Sequence, residues 1–183
     1  MDIDSSSRVP AARALKNIDW DGWQPQDIAT LTFVFDGSQV LLIEKKRGLG
    51  AGKVNAPGGR LEPGESITEC AIREVREEVG IDIESVEPVG QLCFQFVDGY
   101  SLHVSVFRAF QFTGEAFETQ EANPFWVDVE QIPYHRMWSD DVYWLPKLLG
   151  GTPFFGRFIF DGDEMLDMWL IEGNDALAHL SFC

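Results

Sequence analysis

Residues 66–80 read Ser-Ile-Thr-Glu-Cys-Ala-Ile-Arg-Glu-Val-Arg-Glu-Glu-Val-Gly, a segment that carries the signals for both ends of a helix. Ser66 and Glu69 have the spacing of a capping box, in which the hydroxyl takes a free main-chain N–H and the carboxylate reaches back to the cap residue. Gly80 suits the left-handed position that closes a helix. The spacing predicts a helix over 67–79. At about 100° per residue, with Ile67 as zero, Ala71, Val75, Val79 and Ile72 fall between about 40° and 140° and form an apolar stripe. Glu74 and Glu78 fall within about 20° of Ile67, at the edge of that stripe, while Glu77 and Arg73 lie further round and Glu69 and Arg76 face outward.

An acidic run on a helix is ordinarily a solvated face. Here that reading fits poorly, because like charges at i and i+4 repel and acids beside an apolar stripe lose hydration, so the arrangement needs cations. Hard divalent ions such as Mg2+ take carboxylate oxygens and keep waters that a substrate phosphate can displace. The helix is therefore read as a metal platform for a polyanionic substrate, with Mg2+ expected and Mn2+ as a substitute. The metal would screen the phosphates and activate a water.

Charge supports an anionic small molecule and argues against larger anions. The 183 residues carry 14 Lys plus Arg against 30 Asp plus Glu, a net charge of −16. So acidic a surface repels a nucleic-acid duplex or an anionic membrane. Yet five of the 14 cations, Lys45, Lys46, Arg47, Lys53 and Arg60, fall in one stretch before the helix, a local patch that suits phosphate. Gly58-Gly59 and Gly64 in the same stretch let the backbone approach a ligand closely, so a main-chain carbonyl could join the metal shell. The start of the chain lacks the basic and apolar signature of a secretory signal, no apolar run nears the length of a membrane span, and Cys70, Cys93 and Cys183 form neither a disulfide framework nor a zinc motif. Cys70 and Cys93 read as small buried hydrophobes, and the expected setting is a cytoplasmic monomer.

The rest of the chain alternates strands with few helices. Ile28–Phe35 and Val40–Ile43 flank the turn Asp36-Gly37, a glycine-rich loop spans 48–64, and strands are expected at 89–97, 102–112 and 124–129. A short helix is expected from about Asp140 to Leu149, then a hairpin of 154–160 and 165–171. Strands on both sides of one central helix predict a mixed α/β (α+β) domain over 28–183. Residues 1–27 lack periodicity and are expected to be an extension that docks loosely if at all.

Gly59, Glu65 and the run Arg73-Glu74-Val75-Arg76-Glu77-Glu78-Val79-Gly80-Ile81 match the pattern G-x5-E-x7-R-E-U-x-E-E-x-G-U, with U aliphatic, and so resemble the Nudix hydrolases. The resemblance implies an α/β/α sandwich around a mixed sheet. It also implies hydrolysis of a nucleoside diphosphate linked to another group. From about Leu31 to Leu170 the chain is similar to the MutT-type oxidised purine nucleoside triphosphatases, most tellingly over Met137-Trp138-Ser139-Asp140-Asp141-Val142-Tyr143-Trp144-Leu145-Pro146.

That resemblance implies metal held by Glu74, Glu77, Glu78, the Gly58 carbonyl and Glu121, with Glu78 activating the attacking water and Glu77 second to it. Arg73 and Glu65 would form an ion pair that orients them. The base pocket would consist of Thr30, Leu31, Lys45, Leu49, Asn55, Phe94, Trp138, Asp140, Asp141, Trp144 and Phe160. Leu49 stands where the family usually has an aromatic residue, and Val54 and Ala56-Pro57 also depart from it. The bottom-up chemistry agrees: Trp138 offers a flat face for a purine, the Asn55 amide can donate and accept, and close carboxylates in an apolar pocket tend to share a proton. Plain core packing for the tryptophans, and a helix start for Asp140-Asp141, are the structural readings. The expected reaction is hydrolysis of purine nucleoside triphosphates, 8-oxo-dGTP included, to monophosphate and pyrophosphate. The alternatives are undamaged dGTP or another nucleoside diphosphate derivative as substrate, and a silent nucleotide-sensing domain.

Overall fold

A computed structural model describes residues 12–182. The strands are β1 (Asp27–Asp36), β2 (Gln39–Lys45), β3 (Val54–Asn55), β4 (Asp82–Ile83), β5 (Glu87–Phe96), β6 (Ser101–Ala109), β7 (Phe112–Thr113), β8 (Ala122–Asp128), β9 (Phe154–Asp161) and β10 (Glu164–Glu172). The helices are α1 (Ile67–Val79), α2 (Asp141–Gly150) and α3 (Asn174–Leu177). The main sheet runs β10-β9-β5-β6-β1-β2-β3, with β8 also on β2. It is mixed: β1 runs parallel to β6 and β5 to β9, and the other pairs are antiparallel.

Alternation along β1 decides the layers, because successive strand side chains face opposite ways. Val34 joins Leu41, Ile43, Val75, Val79 and Ile81 under α1. Phe33 and Phe35 join Trp144, Leu145, Leu148, Phe154, Phe158 and Phe160 under α2. The result is the expected three-layer sandwich.

Helix α1 has the predicted bounds. Ser66 Oγ accepts from Glu69 N, the Glu69 carboxylate accepts from Ser66 N, and Gly80 closes the helix at φ 78°. Two expectations need correction. The strand expected over 102–112 stops at Ala109, because the chain leaves the main sheet there and Phe112 pairs instead with Ile83 of β4. The extension expected to dock loosely is, over residues 12–26, packed on β5, β9 and β10. Trp20 and Trp23 lie with Cys93, Phe155 and Ala176, and the Leu15 N–H donates to Asp167 at 2.8 Å. Isolated aromatic residues without periodicity gave no sign of a partner face. Residues 1–11 and Cys183 lie outside the described residues, while Cys70 and Cys93 are buried as expected.

Candidate active site

One cavity of about 350 Å³ opens between the glycine loop, the end of α1, the β5–β6 hairpin and the start of α2. Its chemistry is built from two acidic groups at different walls. The first comes from α1, where the helix turn that buries Val75 and Val79 also carries Glu78 inward until the residue is 3% exposed. Glu78 Oε2 accepts from the Gly58 N–H at 2.9 Å. Burial pushes the Glu78 carboxyl up to about 7, against the opposing pull of the Gly58 bond and the positive Lys45. Burial also raises Glu74, opposed by Arg73.

Arg73 organises the rest of the acids. Its Nε and an Nη donate to both oxygens of Glu65 at 2.7 and 2.9 Å, its other Nη donates to Glu74 at 2.8 Å and Glu77 at 3.0 Å, and it reaches the Arg60 carbonyl at 3.1 Å. The bond from Arg73 holds the Glu65 carboxyl down at about 2. Glu121 lines the cavity and pairs with Arg47. Gly58 and Gly59 are small for steric reasons: a Cβ on Gly58 would stand 2.0 Å from the Thr30 carbonyl oxygen, and one on Gly59 2.3 Å from Glu74 Cδ.

The donor chemistry here fits a hard divalent cation, since Glu78 and Glu74 are desolvated like charges with oxygen donors only. Among the described residues no three of these acids converge on one point, because Arg73 draws Glu74 and Glu77 to itself. Glu78, Gly58 and Glu121 line the cavity, whereas Glu74, Glu77, Arg73 and Glu65 do not.

The second acidic group is Asp140 and Asp141, 1% and 2% exposed. Asp140 Oδ2 accepts from Trp144 Nε1 at 2.8 Å, while Asp140 Oδ1 and Asp141 Oδ2 have no protein partner. Burial raises both carboxyls, Asp140 to about 6, and the neighbouring Asp140 charge adds to the rise of Asp141. Asp140 stands at the N-cap of α2 and Asp141 in its first turn, so the helix-start reading holds for both, although the Asp140 side chain makes no cap bond. Trp138 is half-buried, set edge-on to Phe160 with ring centres 5.4 Å apart, and Lys53 Nζ lies 5.0 Å from its ring centre. Trp144 is a core residue as well as a wall residue, stacked on Phe154 at 5.5 Å. Asn55 Oδ1 accepts from the Ala56 N–H at 2.8 Å, which leaves the amide hydrogens for the cavity.

All eleven expected pocket residues, Thr30, Leu31, Lys45, Leu49, Asn55, Phe94, Trp138, Asp140, Asp141, Trp144 and Phe160, lie on this cavity. Thr30 does so while its hydroxyl rests 3.7 Å from Cys70 Sγ beneath α1. Sequence reasoning did not place Phe96, Tyr100, Leu102, Val104, Arg47 and Arg60 on the wall. Period-two alternation from Phe94 would have found Phe96, and Leu102 stands opposite Phe94 in register. Nothing local marked Tyr100.

Residues 25–148 match the NUDIX domain. The oxidized purine nucleoside triphosphate hydrolase of Danio rerio is 39% identical over 140 residues, 76% of this chain and 90% of that protein. The protein of the same name from Mus musculus is 41% identical over 145 residues, 78% of this chain and 93% of that one. The crystal structure of a MutT mutator protein from Bacillus halodurans superposes with a TM-score of 0.71 at 29% identity, over 79% of this chain and 97% of that one. A glycine loop bonded to a buried glutamate, an arginine-held set of acids and a domain match over most of the fold lead to one conclusion: this chain belongs to the Nudix family.

Proposed function

We propose that this chain hydrolyses purine nucleoside triphosphates, oxidised forms such as 8-oxo-dGTP included, to the monophosphate and pyrophosphate. The observation that carries this reading is the pair Asp140 and Asp141, buried at the cavity wall with one oxygen of each unpartnered. Two raised carboxyls side by side favour sharing a proton, so one can donate to a base edge and the other accept. The Asn55 amide and the half-buried face of Trp138 complete a site for a flat, polar-edged ring. The names of the fish and mouse relatives support the same substrate class, and no helix among the described residues is long and apolar enough to cross a membrane.

Nudix hydrolases generally need a divalent metal, and we take it to be Mg2+. Glu74, Glu77 and Glu78, with the Gly58 carbonyl and Glu121, would hold it. When bound, the metal supplies screening of the phosphate charge and acidifies water. Glu78 is the group for proton removal from the attacking water, because among the α1 glutamates Glu74, Glu77 and Glu78 it is the one that lines the cavity, held there by the Gly58 N–H. Arg73 orients Glu74 and Glu77 through its fixed fork of donors. Lys45 and Arg47, on the same wall, attract the phosphates. Asp140, Asp141 and Asn55 fix the base, which sets how the triphosphate meets Glu78.

Leu49 gives a second reading some weight. It lines the cavity at 42% exposure where the family usually has an aromatic residue, so the wall closes less tightly on a modified ring, and undamaged dGTP is the competing substrate. Pyrophosphate release with Mg2+ across a panel of nucleoside triphosphates, nucleotide sugars and dinucleotides tests both. Fastest turnover of 8-oxo-dGTP supports the first reading, and equal turnover of dGTP the second. No turnover of any purine triphosphate sinks both.

A further inference from the structure

Residues 12–26 lie on the face of the sheet opposite the cavity. Along β5, Phe94 and Phe96 point into the cavity and Cys93 and Gln95 point away from it. There Trp20 and Trp23 stand 5.5 Å apart, and the Arg157 guanidinium lies 4.8 Å from the Trp20 ring centre.

Polar contacts run from this cluster back to the cavity wall. Trp23 Nε1 donates to Gln95 Oε1 at 2.9 Å. Gln95 Nε2 donates to the carbonyls of Phe96 at 3.1 Å and Tyr100 at 3.0 Å, one on each arm of the β5–β6 hairpin. The Gln26 N–H donates to Ser101 on the returning arm. The Tyr100 hydroxyl donates to Asp27 at 2.9 Å, and Asp27 pairs with Arg60 at 3.2 Å. Phe96, Tyr100 and Arg60 all line the cavity.

A primary amide can turn either end toward a neighbour, but an indole N–H only donates. Trp23 therefore fixes the Gln95 oxygen toward the extension and its NH2 toward the two carbonyls. That orientation ties the hairpin arms together at the point where they enter the cavity wall.

We propose that the N-terminal segment is part of the substrate pocket's construction: Trp23, acting through Gln95, is a positioning residue that holds Phe96 and Tyr100 in place for substrate binding. The inference rests on the reading of this cavity as a nucleotide site. Neither Trp23 nor Gln95 lines the cavity, and neither bonds to α1, so their loss should weaken binding without slowing the chemistry.

The test uses the full chain with Trp23→Phe, which keeps a packing ring and removes the N–H, and Gln95→Met, which removes the amide. With the best purine triphosphate from the panel, KM should rise about fivefold in each variant, the equivalent of one hydrogen bond, with kcat within twofold of wild type. The double variant should be no worse than Gln95→Met alone, since both act on one link. A merely structural contact would lower Tm and leave KM unchanged, and that result overturns the inference, as does a strictly additive double variant. If Gln95→Met fails to fold, Trp23→Phe alone decides by its KM. Normal wild-type turnover with unchanged variant KM sinks this inference only, whereas a wild type inactive on every purine triphosphate sinks the functional reading and this inference with it.

Discussion

The main-chain N–H of Gly58 donates to Glu78 Oε2 at 2.9 Å, and so joins the glycine loop to the last turn of α1. The bond favours the ionised carboxylate, burial opposes it, and burial wins, leaving the group near pH 7. On the function proposed above, this carboxylate is the one that takes a proton from the attacking water.

Replacing Glu78 by Gln keeps an acceptor for the Gly58 N–H and removes the base. Turnover should fall by about 10²- to 10⁴-fold, the usual range for a lost general base, with an unchanged circular dichroism spectrum and a Tm at pH 8 at or above that of wild type, because the ionised carboxylate it removes is one that burial disfavours. Activity near wild type would move the role to Glu77.

The two neighbouring glycines should fail in different ways. Gly58→Ala forces a methyl onto the Thr30 carbonyl, which is backbone inside the sheet, so a severe loss of stability is expected, on the order of 3 kcal/mol or more. Gly59→Ala meets the Glu74 carboxylate instead, a side-chain end that can move. Thermal melts should show a small shift for Gly59→Ala, while its kcat falls by roughly 10- to 100-fold as Glu74 is displaced.

Arg73→Lys replaces a fork serving three carboxylates with a single point charge. Activity should drop about 10- to 100-fold. Glu65 offers an independent readout. Its carboxyl is held down at about 2, so it contributes stability that is present above about 4.5 and is lost as pH falls toward 2. The variant has less of this stability to lose, so melting curves of the two proteins should converge in strong acid; a constant gap from pH 6 to pH 2 would refute the pairing.

Asp140 shows the opposite sign. Burial raises its carboxyl to about 6, so the folded chain binds the proton more tightly than the unfolded chain. The stability from that proton is full below about pH 4 and is lost as pH rises through about 6. Asp140→Asn should therefore raise Tm at pH 7.5, by up to roughly 2–3 kcal/mol of stability, and leave it nearly unchanged at pH 4. A uniform loss at both pH values would show that the Trp144 bond dominates instead.

Asp140→Asn and Trp138→Ala should also change the choice among bases more than the rate on the best one, because a site that bonds a base edge rejects mismatches strongly. The measurement is the ratio of 8-oxo-dGTP to dGTP turnover. Both variants keeping the wild-type ratio would remove these residues from the pocket.

Local sequence reached far where the physics is local. The capping box, the apolar stripe and Gly80 fix α1 within one segment, so its bounds were legible residue by residue. The Nudix spacing also lies within 23 residues, from Gly59 to Ile81. The second wall was legible only through resemblance, because Asp140 and Asp141 look like any acidic helix start until burial sets them against a cavity. Phe112 shows the limit from the other side: its strand propensity was visible, but its partner Ile83 was not.

The sequence by itself determined the carboxylate helix, the seven long strands and the family signature, since each depends on neighbours along the chain, while the two-residue strands β3, β4 and β7 were not legible in it. Tertiary structure alone decided how deeply Glu78 is buried, that Arg73 draws Glu74 and Glu77 together, and that Trp23 supports a wall it does not touch. Desolvation, ion-pair choice and cross-sheet bonding depend on groups brought together from distant positions, and those distances exist only once the sheet has closed.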